Sequence, residues 1–436
     1  MSSVSTTSGD VKILITLKNL AFTSMSILRF DVFNAMNTIP TGEFVLADKG
    51  SDFVIANSGD YGVIYFTDTS DTNMEKASAI PFIIDEMIQV EQSGADTAYK
   101  IKWTAGTKES LRNSTRAFKG TSLEALVDIC EYHDYKALDL LSKTDFEKPT
   151  DSMTWRYIQD SMWESFDTVI SKSYMKNDFL FWVFDDVNNC IKISTLNLER
   201  ALETSHLFMF ADNASASKSE VKKRLNEPAV TIWAYNGDSR ANELGKNRKK
   251  LFPNISFSGI GDTDMNQAGF RKGCFSSVLK SMGDDKQSEL QNITDLKDPN
   301  DVFGDLQVRR HWPNNTHKMY SLSDVYRDYK MATYGKVMYV RIYNTIGPAI
   351  GTKASILALN NDLKVRGANI DTTYTDTYIL AEKQIRFTTV ERNTTGRLKG
   401  SGNDEMVTIL KFVSDNYGTA GLEDTMKFIN TMKEVK

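Results

Sequence analysis

Two adjacent carboxylates, Asp185 and Asp186, follow an aromatic run in "NDFLFWVFDDVNNCIKIS", Asn177 to Ser194. Such a pair can act as general acid and base, or hold a metal, when a cleft pulls the two proton affinities apart. Here "DDVNN" separates an unbroken apolar run, Phe179 to Phe184, from an alternating "IKI", Ile191 to Ile193. Asp and Asn bond their own backbone and accept tight-turn geometry. The stretch therefore predicts a β-hairpin whose turn carboxylates are solvated, with no catalytic partner beside them.

The other chemistry-bearing groups are sparse. The four histidines are His133, His206, His311 and His317, and none sits in an HExxH pattern. "GDTDMNQAG" echoes a calcium loop through Asp262, Asp264 and Asn266. It places Gln267 where the loop needs glycine and Gly273 where it needs a bidentate acid, so it fails as such a loop. Gly245-Lys246 is followed by Asn247 and preceded five residues earlier by Arg240, which is not a phosphate-binding loop. The basic run "GKNRKK", Gly245 to Lys250, reads as a solvated loop. Cys130, Cys190 and Cys274 are far apart and odd in number, which gives no disulfide framework and fits thiols kept in a reducing cytoplasm. No catalytic residue, metal ligand or cofactor site is predicted.

The elements that would position any site are mainly strands. Twenty-three Phe, 17 Tyr and 6 Trp in 436 residues supply sizeable cores, and the length favours several domains. A net charge of −5 argues mildly against sequence-independent nucleic-acid binding, which needs a basic face. "MSSVSTTSGD" lacks the basic and apolar regions of a signal peptide and reads as a disordered arm. No apolar run approaches 18 residues, so no membrane span is expected.

From Val11 to Trp103, short apolar or alternating runs such as "VKILITL" and "YGVIYFT" are parted by turn clusters, the pattern of a β-barrel or sandwich. "PFIIDEMIQVEQ" fits strand or helix. "RAFKGTSLEALVDICEYH" predicts a strand, a turn and a helix opened by a capping box between Thr121 and Glu124. A second helix is predicted over Met153 to Tyr174, burying Trp155, Ile158, Met162, Trp163, Phe166, Val169 and Ile170 on one face. Two tryptophans there are read as core, not as a cofactor cradle. Further strands are expected at Ala229 to Tyr235 and in "ISFSG". A helix over Ser321 to Gly335 follows. "KVMYVRIYN" and "ASILAL" then flank a turn, "TIGPAIGTK". "TYILAEKQIRFTTV" and "EMVTILKFVSDN" form a hairpin-like pair, and "GLEDTMKFINTMKEVK" closes as an amphipathic helix.

The order of these pieces carries a resemblance. A helix with an early Trp leads to the aromatic hairpin over Asp151 to Ser194. Far downstream, "YGKVMYVRIYNTIGPAIGTKASILAL" precedes "TYILAEKQIRFTT" and "MVTILKFVSDN". This resembles the central baseplate hub proteins of contractile-tailed bacteriophages, which are related to the hub part of VgrG spikes. The match spans roughly 119–200 and 321–420, and residues 212–320 match nothing.

The resemblance implies an α+β, mainly β chain with two tube-protein-like β-barrels, an α/β helix-and-hairpin module and an inserted segment. The implied division is a disordered arm (1–10), a first barrel (11–105) and the module (106–226). A second, discontinuous barrel (227–259 and 336–418) would enclose the insert (260–335), followed by a C-terminal amphipathic helix (419–436). It implies a non-enzymatic virion protein of the tail baseplate, made in the host bacterial cytoplasm. As a homotrimer it would form a pseudo-sixfold ring between a three-fold central spike and the six-fold tail tube or tube initiator. Tape measure and wedge proteins would be further neighbours, and DNA would pass the lumen without specific binding. Candidate interface residues on the second barrel are Tyr339, Arg341, Tyr343, Lys383, Arg386 and Lys411. The alternatives are another tail tube or baseplate component, or a tail-associated cell-wall hydrolase working through paired carboxylates.

Overall fold

The computed structural model describes residues 12–49, 56–67, 77–202, 206–210, 231–235, 336–343, 346–360, 375–389 and 404–414, with short breaks inside these ranges, and positions 316, 317, 320, 323 and 369–370. The predicted arm, calcium-like stretch, basic run and terminal helix lie outside the described residues, as do His311, Cys274 and, apart from Ser323, the helix predicted over Ser321 to Gly335.

Seven strands open the chain: β1 (Lys12–Leu17), β2 (Leu20–Thr23), β3 (Ile27–Ala35), β4 (Thr38–Lys49), β5 (Tyr61–Thr67), β6 (Ser78–Ser93) and β7 (Asp96–Ala105). They pair antiparallel in the order β3-β4-β7-β6-β5-β1-β2. The alternation read from the sequence is realised directly, with Ile13, Ile15 and Leu17 buried on one face of β1. "PFIIDEMIQVEQ" belongs to strand β6. On β4 the chain needs a glycine: a Cβ on Gly42 would stand 2.1 Å from the Asp31 carbonyl oxygen and 2.5 Å from the Trp103 ring.

An α/β module follows: β8 (Ser114–Gly120), α1 (Ser122–Tyr132), β9 (Ala137–Asp139), β10 (Met153–Asp160), α2 (Met162–Lys172), β11 (Leu180–Asp185), β12 (Cys190–Thr195) and α3 (Leu196–Ala201). α1 begins with the predicted capping box between Thr121 and Glu124. The long helix predicted over Met153 to Tyr174 is a strand followed by a shorter helix. Met153, Trp155 and Tyr157 are buried alternately on β10, while Ile158, expected in the core, is 68% exposed. Trp155, Met162, Trp163 and Phe166 satisfy a helical period by coincidence of a strand parity with a helix start. The true boundary is a second capping box, Ser161 with Glu164, in "SMWE".

The remaining strands are β13 (His206–Phe210), β14 (Thr231–Tyr235), β15 (Lys336–Tyr343), β16 (Lys353–Leu357), β17 (Leu359–Asn360), β18 (Asn369–Ile370), β19 (Asp376–Thr389) and β20 (Asp404–Ser414). β13, within the range expected for the module, pairs parallel with β14 and β16. β19 pairs with β16, β20 and β3, and β15 with β20. The turn between β15 and β16 uses left-handed glycines, Gly347 (φ 76°) and Gly351 (φ 80°).

The result is mostly β: one curled 13-stranded sheet that runs through both ends of the chain. Its buried apolar residues fall into distinct clusters, the first of which also takes in Ile385 and Phe387 of β19 and Met406 of β20. Phe30, Phe44, Phe82 and Trp103 lead the first, which continues into the α/β module through Leu126, Trp163 and Trp182. Phe208, Met338, Val340, Ile356, Tyr378, Leu410 and Phe412 form another.

Candidate interaction surface

The hairpin read from "NDFLFWVFDDVNNCIKIS" is present as β11 and β12, joined over residues 186–189 with Asn189 at φ 48°. The solvated carboxylates are not. Asp185 is buried and accepts the backbone N–H groups of Val187 and Asn188, both at 3.0 Å, an Asx-type cap on the turn. Asp186 is 1% exposed and takes both oxygens to Lys383 Nζ, at 2.9 and 2.8 Å; Lys383 is equally buried. The missing partner lies on β19, 197 residues away in sequence, where no local pattern could reveal it.

The unbroken apolar run has the same origin. Leu180, Trp182 and Phe184 join the core of the first half, whereas Phe179, Phe181 and Val183 pack with Met36, Ile350, Ile379 and Val413. β11 is therefore buried on both faces, and alternation is lost because both parities are apolar. The β3–β4 turn docks on it edge-on. Asn37, at φ 53°, donates its backbone N–H to the Trp182 carbonyl at 2.9 Å and accepts the Trp182 N–H on Oδ1 at 2.9 Å. Asn34 Nδ2 donates to the Phe184 carbonyl at 2.9 Å. A second buried pair, Lys192 with Glu199 at 2.7 Å, ties β12 to α3. These contacts lock the module between the two halves of the sheet.

With the module thus fixed, the opposite face of the central strands is polar and open. The strand register aligns Tyr343, Val407, Arg386, Asp31, Glu43, Lys102 and Glu86 in one row across β15, β20, β19, β3, β4, β7 and β6. A neighbouring row runs Arg341, Ile409, Gln384, Phe33, Thr41 and Thr104. The charges meet in pairs. Arg29 reaches Asp31 at 2.5 Å and Glu43 at 3.2 Å, Lys100 reaches Glu43 at 2.7 Å, and Lys102 reaches Glu86 at 2.6 Å. The hydrogen bond from Lys100, with the fields of Lys100 and Arg29, holds the Glu43 carboxyl below the usual range, against the opposing cost of burial. Arg29, Asp31, Thr41, Glu43, Lys102 and Gln384 line an open groove of about 390 Å³ on this face. Exposed pairs of this kind are screened by solvent and contribute little to folding.

The six residues predicted at an interface divide on this geometry. Arg341, Tyr343 and Arg386 occupy register positions in the polar rows, whereas Tyr339 packs against the cluster of Phe179, Phe181 and Val413, and Lys411 is buried. Arg341 and Arg386 are exposed and Tyr339 is half-buried. Lys411 is engaged at 2.6 Å by Glu382 and lies 5.8 Å over the Tyr339 ring. Lys383 points the other way, into the pair with Asp186. Asp31, Glu43, Lys100 and Lys102 share the face and were missed, since only the cross-strand register brings them beside β19. Their signal was present as alternation in "RFDVF" and "YKIKW".

The remaining candidates are structural. Trp163 stacks on Trp182 with centroids 5.5 Å apart and planes at 20°, inside the core. Cys130 and Cys190 are buried free thiols, and burial pushes Cys190 up to about 11. Burial brings His206 down to about 4. Among the described residues no three His, Cys, Asp or Glu side chains are grouped to hold a metal, and no helix is long and apolar enough to cross a membrane.

No protein-family model and no curated protein matches the chain. Among solved structures it is similar to a tail protein from Neisseria meningitidis MC58, with 6% identity, a TM-score of 0.42, and 93% of this chain and 97% of that one covered. It is also similar to the 43 kDa tail protein of prophage MuSo2 from Shewanella oneidensis, with 9% identity, a TM-score of 0.40 and coverage of 93% and 98%. A third is the E. coli c3393 protein, a component of the type VI secretion system, with 8% identity, a TM-score of 0.41 and coverage of 93% and 77%. At these scores and identities the likenesses carry no assignment of their own.

Proposed function

We propose that this chain is a structural, non-catalytic virion protein: a baseplate hub that, as a trimer, adapts a three-fold central spike to a six-fold tail tube. The observation that supports the reading is one curled sheet in which the strands of the first hundred residues and the late strands are joined where β19 pairs with β3. Two barrels per chain, as the resemblance implies, would give six around a three-fold axis, the count a symmetry adaptor needs. The resemblance in the order of helix, hairpin and late strands points the same way. The polar face bearing Arg341 and Arg386 is then the contact surface between copies or toward the tube, and the spike and the tube protein are the partners.

Absolute mass by light scattering, with and without a candidate spike, tests this reading. The wild-type chain is expected at three copies, or in a three-to-three complex with the spike. Arg341→Glu/Arg386→Glu should lower that mass while leaving the melting temperature unchanged. A wild-type monomer that ignores the spike at micromolar concentration refutes the hub reading and favours a peripheral baseplate component.

A further inference from the structure

Strands β8 and β10 form a two-stranded ribbon separate from the large sheet. Its inner face is packed: Met153, Trp155 and Tyr157 are buried, and Arg116 pairs with Asp128 and lies 4.4 Å from the centre of the Tyr132 ring. The outer face carries the other parity, with Lys119 opposite Thr154, Ala117 opposite Arg156, and Thr115 opposite Ile158. Lys119, Ala117 and Arg156 are exposed, and Ile158 is 68% exposed, more than any other large apolar side chain described. Lys119 and Arg156 stand at diagonal positions of the ladder, roughly 7–8 Å apart along the backbone, where long side chains meet and like charges repel. Neither side chain has an ion pair or hydrogen bond among the described residues. The only acid of the two strands, Asp160, follows a bulge that sets it opposite the buried Ser114, off this face. The large sheet is built otherwise, since its exposed Arg29, Lys102 and Arg386 each meet an acid, at 2.5, 2.6 and 3.8 Å.

Two like charges left to repel beside an exposed isoleucine stabilise nothing within the chain, and local conflicts of this kind concentrate at functional sites. We infer that the outer face of the β8–β10 ribbon binds an acidic segment of another protein, with carboxylates on Lys119 and Arg156 and an apolar side chain on Ile158. Thr154, Arg156 and Ile158 follow one another at every second residue of β10, and Lys119 lies level with Thr154. An extended segment also advances about 7 Å per two residues. Its alternate residues, acid, acid and apolar, therefore fall on Lys119, Arg156 and Ile158 in turn. A nucleic acid would meet the two cations through its phosphates but leave Ile158 in water, so the apolar contact favours a polypeptide. This goes beyond the adaptor role and does not depend on it.

Fluorescence anisotropy of a fluorescein-labelled peptide of alternating glutamate and valine, titrated with the full chain, tests the inference. The wild type should bind with a Kd on the order of 100 µM, weakened by added salt. Arg156→Glu should weaken binding by about tenfold or more, and Ile158→Thr by about threefold. Lys119→Glu should also weaken it yet raise the melting temperature, because the diagonal repulsion becomes a cross-strand attraction. Absence of binding with the chain at several times that concentration overturns the inference, as does equal binding by the wild type and Arg156→Glu. A lower melting temperature in Lys119→Glu overturns it too, since the two cations would then not be in conflict. A single-stranded oligothymidine that binds as tightly as the peptide, and ignores Ile158→Thr, overturns it in favour of an anion-binding patch without an apolar contact.

Discussion

Replacing Lys383 by Met is the sharpest test of how the module is held in place. The substitution keeps the length of the side chain and removes the ammonium, leaving the Asp186 carboxylate 1% exposed and without its cation. Removing one member of a buried ion pair costs about 3–5 kcal/mol, because the surviving charge is stranded in a medium that solvates it poorly. At roughly 2–4 °C per kcal/mol for a folding unit of this size, the melting temperature should fall by about 6–20 °C. Tryptophan fluorescence is a suitable probe, since Trp163 and Trp182 stack in the core that the Asp186 hairpin closes. The companion variant Asp186→Leu/Lys383→Met removes both charges and should return to within about 1 kcal/mol of the wild type, as apolar replacement of buried pairs often does. A Lys383→Met loss below about 1 kcal/mol would refute the reasoning, by showing that water or another group solvates Asp186. Failure of the double variant to recover would equally refute it, by assigning the loss to packing.

Two further outcomes follow from local chemistry. Thr121→Ala and Ser161→Ala each remove one capping box and should each cost about 1 kcal/mol in urea titrations, with the double variant close to the sum, since they open different helices. Burial raises the Asp178 carboxyl to about 6, against favourable bonds from Thr195 and the N–H groups of Phe179 and Asn197. Its folded-state affinity for a proton thus exceeds the unfolded value near 3.9, so this group stabilises when protonated and loses that contribution as pH rises from about 4 through 6. Relative to Asp178→Asn, the wild type should lose on the order of 3 kcal/mol of unfolding free energy over that interval; an identical pH profile for the two would exclude it.

How much of this was legible in the sequence depends on the range of the interaction concerned. Features set within a few residues were readable: the capping box at Thr121, the β11–β12 turn, the strands on either side of Gly347 and Gly351. The error at Met153 to Asp160 arose because period-2 burial of Met153, Trp155 and Tyr157 runs into a helix whose first buried residues continue a 3.6 period. The Ser161-x-x-Glu164 signature would have separated the two. Features set by chain reversal over long distances were not readable. The burial of Asp186 depends on Lys383, and the charge row depends on β19 lying beside β3.

The same distinction bears on why the Asp186–Lys383 pair stands where it does. An apolar pair would close the seam between the module and β19 at no electrostatic cost. It would also tolerate sliding by one residue, because Phe181, Trp182, Val183 and Phe184 are all apolar and offer no preferred parity to either core. A strand buried on both faces has lost the pattern that normally sets register. Here position is set instead by directional contacts at its edges: Asn37 on Trp182, Asn34 on the Phe184 carbonyl, and Lys383 on Asp186. A slip of one residue would break each of them and strand a charge. The polar contacts thus fix the register of the strand on which both halves of the sheet converge, and through it the orientation of the surface that carries Arg341 and Arg386.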